Sequence, residues 1–226
     1  MLKKDLWLSG YLLCPVFHLD DFVRLEKNDL PAGKAFIDTK VGVQDIEKIT
    51  VLENLGFRLI DTNVQLIRKA GAFEKTSTRC RFANPADENA VRMVAGNSFV
   101  QSRFHLDPVI PNSVADKIKE DWAGNFFSAK RGKWMVVVEH DKKVCGFLQL
   151  LQKNEETIII DLIAVAKDKQ GLGLGGEMIS FASSACLNKE ARMEVGTQVA
   201  NLSSLSLYTN LGFRISDFKY VLHLHQ

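Results

Sequence analysis

Ile158 to Ile179 reads IIIDLIAVAKDKQGLGLGGEMI. An apolar, β-branched run from Ile158 to Val165, interrupted by Asp161, has the pattern of a strand buried on both faces. A charged turn follows, Ala166 to Gln170, and then Gly171, Gly173, Gly175 and Gly176 lead into a helical pattern at Met178, Ile179, Ala182 and Ala185. Strand, glycine loop and helix N-terminus in that order make an anion site. Glycines let backbone N–H groups turn inward and approach a phosphate, and the helix dipole adds partial positive charge.

Gly171, Gly173 and Gly176 formally satisfy the dinucleotide pattern G-x-G-x-x-G, with Glu190 or Glu194 near the place of a ribose-binding acid. That motif needs its glycines directly after the strand and further βαβ units beyond. Here five residues separate Val165 from Gly171, and only fifty follow Gly176. No Gly-Lys-Ser/Thr follows the loop, so the Walker pattern is absent. A glycine-rich connection without a ligand is the bland alternative. Gln170-Gly171-Leu172-Gly173-Leu174-Gly175, however, resembles the acyl-CoA pyrophosphate loop of GNAT-family N-acyltransferases, Q/R-x-x-G-x-G/A.

The following segment strengthens that resemblance. A strand-like run, Glu194 to Gln198, precedes Asn201, a short helix of small residues, Tyr208 seven positions after the Asn, Gly212-Phe213, and a last strand at Tyr220 to Leu224. This is similar to the C-terminal motif of the same family, and the likeness covers roughly Val136 to His225. The fold it implies is α/β: a mixed central sheet flanked by helices.

Part of this motif occurs twice. Val41-Gly-Val-Gln44 and Asn54-Leu-Gly-Phe-Arg58 repeat as Val195-Gly-Thr-Gln198 and Asn210-Leu-Gly-Phe-Arg214, with a two-residue difference in the connecting segment. The order in both copies is strand, helix, Leu-Gly-Phe turn and strand, with the glycine ending its helix and the Phe as a hydrophobic latch. Residues 1–75 are therefore read as a degenerate N-terminal half-unit and 76–226 as the catalytic unit of a tandem GNAT. The first copy lacks a glycine loop, and Leu52 stands where Tyr208 stands in the second.

Composition excludes several classes. With 226 residues the chain can build one large or two small cores. A net charge of +2 without a basic block gives no case for nucleic acid. Nowhere do 18 apolar residues run together, so no membrane span is expected. Cys14, Cys80, Cys145 and Cys186 lie far apart, as reduced thiols of a cytoplasmic protein do. Leu6 to Phe17 imitates a signal peptide but lacks a cleavage site, and reads as the first strand of a domain.

Between the halves, Phe73 to Ala83 reads as a linker, and Asn84-Pro-Ala-Asp-Glu opens a helix over Asn89 to Phe99. A second amphipathic helix is expected over Ala115 to Phe127, then a hairpin around His140 to Lys143. The loop between the helices, Ser102-Arg103-Phe104-His105-Leu106-Asp107-Pro108, narrows the resemblance to the branch that acylates amino groups of nucleotide-linked deoxysugars, the dTDP-fucosamine acetyltransferase type.

The resemblance implies acyl transfer from acyl-CoA, acetyl by default, to a neutral amine. Strand groups near Ile163 and Val165 then pair with the pantetheine arm and polarise the thioester. The N–H groups of Gln170 to Gly175 cradle the pyrophosphate, and Asn201 touches the pantetheine. Tyr208 is the expected general acid, since a phenol can donate to a leaving thiolate; packed core tyrosine is the alternative. His105, oriented by Asp107, is a candidate base. Ser102, Arg103, Phe104 and Asp107 line the acceptor site, with Arg103 a fork for a diphosphate. His223 and His225 share a strand face, but no further metal ligands are evident, so no metal is expected. A homodimer is a family expectation. The competing functions are the same chemistry on a protein, polyamine or antibiotic amine, and a non-catalytic CoA-binding regulator.

Overall fold

The computed structural model describes residues 1–69, 77–186 and 191–226. The expected unit boundary at 75/76 and Glu190 lie outside them. In chain order the elements are β1 (Leu2–Lys4), α1 (Leu6–Leu12), β2 (Val16–Leu19), β3 (Phe36–Gly42), α2 (Ile46–Asn54), β4 (Arg58–Lys69) and β5 (Cys80–Phe82). Then come α3 (Glu88–Ser98), α4 (Asn112–Gly124), β6 (Trp134–His140), β7 (Lys143–Asn154), β8 (Thr157–Val165), α5 (Leu174–Cys186), β9 (Arg192–Gln198), α6 (Leu202–Asn210) and β10 (Arg214–His225). The strands form one mixed sheet in the order β1-β2-β3-β10-β4-β9-β8-β7-β6-β5, with β2/β3 and β8/β9 parallel.

Alternation along the strands divides the core between two faces. Val136 and Val138 of β6 pack with Met178, Ile179 and Ala182 of α5 and Tyr208 of α6, whereas Met135 and Val137 pack with Val91, Val94 and Ala95 of α3. Ile37 and Leu222 meet Leu52 of α2, while Phe36 meets Leu8 of α1 and Ile118 of α4. So α2, α5 and α6 cover one face, and α1, α3 and α4 the other.

Leu6 to Phe17 is not a strand. Asp5 decides this, because its carboxylate accepts the Leu8 N–H at 2.8 Å and caps α1, which ends at Leu13 with φ 53°. The apolar run then resumes as β2. The four cysteines are unpaired. No helix among the described residues is long and apolar enough to cross a membrane.

The two copies of the repeated motif fold alike. Gly56 (φ 91°) and Gly212 (φ 81°) end α2 and α6 in the left-handed region, and Phe57 and Phe213 behind them are buried. Their strands interleave: β4 lies between β9 and β10, and β10 lies between β3 and β4. Each half thus completes the other's sheet.

The central strand carries a break. β8 pairs with β9 only from Thr157/Arg192 to Ile160/Val195. At the next residue, Asp161, the register against β7 slips, because Leu150 faces Ile160 while Gln149 faces Leu162. Asp161 is held in this bulge by the Trp122 Nε1–H at 3.0 Å, by two Arg131 donors at 2.7 Å and by the Gln149 amide at 2.9 Å. Beyond it β8 stays on β7 and β9 stays on β4, so the two strands diverge.

Candidate active site

The wedge between the diverging strands is a cleft of about 510 Å³. Its walls are Ile160 to Val165 and Val195 to Gln198; Gly171, Gly173, Leu174 and Gly175 lie at one end, and Asn201, Leu207 and Tyr208 of α6 close one side. Ser98 to Ser102 and Lys119 reach it from the α3/α4 face. Leu162 to Val165 have no β9 partner, so the edge of β8 is open to an extended ligand that adds as a strand.

Gly171 (φ 81°) and Gly173 (φ 75°) adopt the left-handed conformation, and a Cβ at either would meet nothing within 4 Å. Conformation, not space, demands glycine there. Gly175 answers to packing instead: its Cβ would come within 3.2 Å of Leu207. The Gln170 amide donates to the Val165 carbonyl at 3.1 Å and ties the loop to the strand end. The loop runs directly into α5, and a glycine loop leading into a helix N-terminus is an arrangement that can bind an anion.

Asn201 caps α6. Its Oδ1 accepts the Ser204 N–H at 3.1 Å and the Ser203 hydroxyl at 2.9 Å, and its amide hydrogens have no partner among the described residues. Tyr208 is 2% exposed and lines the cleft, its ring tilted against Phe213 at 5.4 Å. Burial pushes the phenol well above its ordinary pKa, so it stays protonated through the physiological range.

Profile comparison matches residues 100–213 to the acetyltransferase (GNAT) family, just over half of the chain. The chain belongs to the GNAT acetyltransferase family. A relative of this GNAT chain, the spore coat polysaccharide biosynthesis protein SpsD of Bacillus subtilis (strain 168), is 27% identical over 198 residues, covering 84% of this chain and 66% of the relative. The chain thus spans just under two thirds of that protein's length. Among solved structures, a conserved protein of unknown function from Staphylococcus epidermidis ATCC 12228 superposes with a TM-score of 0.64 at 14% identity, covering 83% of this chain and 71% of its own. A tandem GNAT protein from the clavulanic acid biosynthesis pathway gives 0.55 at 14% identity, covering 84% and 64%. At such identities both show a shared fold, the α/β GNAT architecture expected from the glycine loop.

The GNAT chain departs from the sequence expectations on the acceptor side. Of Ser102, Arg103, Phe104, His105 and Asp107, only Ser102 lines the cleft. Phe104 is fully buried in the core under α1 and α4. His105 is enclosed, with Nδ1 at 2.6 Å from Ser102 Oγ and Nε2 at 3.0 Å from Asp116 Oδ1. Asp107 does not orient it. Its Oδ2 accepts from His223 Nδ1 at 2.6 Å and from His225 Nε2 at 2.8 Å. Despite burial, these bonds hold the Asp107 carboxyl far below the usual carboxylate range. Ligand atoms of Asp107, His223 and His225 lie within 4.8 Å of one another, a set that could hold a metal ion, but two ring donors sharing one carboxylate oxygen account for that spacing. Arg103 pairs with Asp38 at 2.6 Å, and Asp38 in turn accepts from His18 at 2.7 Å. Leu172 is exposed and outside the cleft lining, so it contributes through its backbone alone.

The sequence reading passed over Lys119. It lies on the buried side of α4 between Ile118 and Trp122 and lines the cleft, its Nζ 4.9 Å from the ring centroids of both Phe99 and Trp122. The signal was present, because 115, 118, 119, 122 and 123 make a helical apolar stripe with one lysine in it. Lys40, on β3, is exposed to solvent, yet the surrounding chain and Arg103 hold its ammonium below the ordinary lysine range.

Proposed function

We propose that the protein transfers an acyl group, acetyl by default, from acyl-CoA to the amine of a nucleotide-linked amino-deoxysugar. One observation carries the donor half: the opening of β8 from β9 directly beside the glycine loop and Tyr208. The pantetheine arm adds along Ile163 to Val165, the N–H groups of Gln170 to Gly175 hold the pyrophosphate, and Asn201 donates its free amide hydrogens to the arm. A β8 N–H near Ile163 stabilises the oxyanion. Tyr208 protonates the departing thiolate.

The acceptor half rests on charge. Lys40 and Lys119 form no ion pair among the described residues, and Arg103 stands near both, so an anionic acceptor is favoured over a polyamine or a basic peptide tail. The relation to a protein of spore coat polysaccharide biosynthesis supports the same acceptor class. The N-terminal half serves as a degenerate GNAT unit that supplies β3 and β4 as one wall of the acceptor groove; in this reading it binds no second CoA.

An assay of released CoA thiol, with a panel of dTDP- and UDP-amino-deoxysugars set against peptides and polyamines, tests the proposal. Saturable turnover of a sugar nucleotide is expected. Turnover of peptides or polyamines only would transfer the chemistry to another acceptor class, and CoA binding without any turnover would leave a regulatory module.

A further inference from the structure

We propose that Lys119 is the general base that takes the proton from the acceptor amine; this rests on the acyl-transfer reading above and names a residue for a step left open there. Three observations carry it. Lys119 lines the same cleft as Ile163 and Tyr208, entering from the α3/α4 face opposite α6. It is 9% exposed and has no ion-pair partner among the described residues. The rings of Phe99 and Trp122 lie 4.9 Å from its Nζ and hold the amine at the cleft wall, a contact that by itself favours the charged form. His105, the other candidate, does not line the cleft and has both ring nitrogens engaged, Nδ1 by Ser102 and Nε2 by Asp116.

The groups facing Lys119 come from four elements. Arg103 of the Ser102 loop, Arg131 behind α4 and Lys40 of β3 oppose its charge, and Asp161 of β8 favours it, although Asp161 is already shared by Arg131, Trp122 and Gln149. Burial, then Arg103, brings the ammonium down to about 8, so a useful fraction is neutral near neutral pH. The same field lowers the pKa of an acceptor ammonium. The phosphates of a nucleotide offset the repulsion that would otherwise keep a cation out.

The step balances. The acceptor ammonium gives its proton to neutral Lys119 Nζ, which becomes the ammonium. The freed nitrogen lone pair forms the C–N bond to the thioester carbonyl, and the carbonyl π pair moves onto oxygen. On collapse the C–S bond breaks, its pair leaves on sulfur, and the thiolate takes the Tyr208 proton. The surplus proton on the new amide nitrogen restores the phenol, and Lys119 releases its proton to solvent.

Two variants and one titration test this. Lys119→Arg keeps the charge and the aromatic stacking but cannot give up a proton; Lys119→Met removes both charge and base. With acetyl-CoA and a sugar nucleotide that wild type turns over, kcat/KM of wild type should rise with pH to a plateau, with a midpoint near 8. Both variants should lose roughly 10²-fold or more at pH 7 and lack that midpoint, with acetyl-CoA affinity unchanged. A Lys119→Arg enzyme within threefold (about) of wild type and with the same midpoint would overturn the assignment, as would mass-spectrometric detection of acyl-Lys119 as an intermediate. Lysine side-chain NMR, assigned by difference against Lys119→Arg with acetyl-CoA bound, needs no acceptor. Titration near 8 supports the proposal and titration above 10 sinks it, even if no sugar nucleotide is turned over and the acceptor class alone has failed.

Discussion

Leu52 and Tyr208 hold the same station in two copies of one motif. They are 0% and 2% exposed, and the carbonyl of each accepts, at 3.0 Å, the N–H of the phenylalanine five residues on. One station carries an aliphatic side chain; the other carries a phenol beside a cleft. The hydroxyl of Tyr208 makes no hydrogen bond to the described residues, so packing does not account for it.

Tyr208→Phe should therefore leave folding intact and lower kcat by about 10²-fold or more, with acetyl-CoA affinity unchanged. Steady-state kinetics beside a thermal melt reads both. Turnover within a few-fold of wild type would remove Tyr208 from the proton-transfer step.

Gly173→Ala separates conformation from space. Nothing within 4 Å opposes the added Cβ, but φ 75° is strained for alanine. We expect about 1–2 kcal/mol of local strain, relieved by a shift of the loop rather than by unfolding. Calorimetric titration should show acetyl-CoA binding weakened about tenfold or more. Unaltered binding would mean that the phosphates lie elsewhere.

Asp161→Ala should destabilise the fold, because Asp161 anchors the bulge in the cleft wall. Trp122, Arg131 and Gln149 all lose their acceptor, and the bulge that parts β8 from β9 loses its anchor. Arg131 is 38% exposed and water softens its loss, so the cost is set at about 1–3 kcal/mol. Urea denaturation measures it; a midpoint like that of wild type would show that the bulge stands without its hydrogen bonds.

Acid should loosen the docking of the Ser102–Pro111 loop on β10. His223 is pushed below its ordinary 6.5, chiefly by burial, so below that pH the unfolded chain binds more protons and stability falls. Asp107 is also lowered, so its contribution is complete above its ordinary value of 3.8 and drains away below it. The two slopes have the same sign. Stability should fall from pH 6.5 downwards and more steeply below 4, and Asp107→Asn should flatten the lower limb while destabilising the protein at neutral pH. Urea midpoints from pH 3.5 to 7.5 test this, and a variant with the wild-type acid limb would place the titration elsewhere.

Local patterns carried the proposed donor side of the site. A glycine loop after an apolar strand is read from spacing, because the backbone geometry it specifies is confined to a few consecutive residues; the Asn and the Tyr one helix later stood out by their resemblance to the family's C-terminal motif. The same legibility failed at Leu6 to Phe17, where one side-chain cap at Asp5 outweighed an apolar run of strand-like composition. It failed again at the acceptor loop. Asp107 sits two residues from His105 in the chain, but its partners are His223 and His225 on the last strand.

By itself the sequence determined the repeated Leu-Gly-Phe motif and the glycine loop between an apolar strand and a helix, since each follows from short-range conformational demands of named residues, and the resemblance of that loop pointed to the family. Only the tertiary structure decided that β4 enters between β9 and β10, that β8 leaves β9 at Asp161, and that Lys119 shares a cleft with Tyr208. Strand order and the facing of two sheet surfaces depend on burial summed over many distant side chains, and no local spacing encodes that sum.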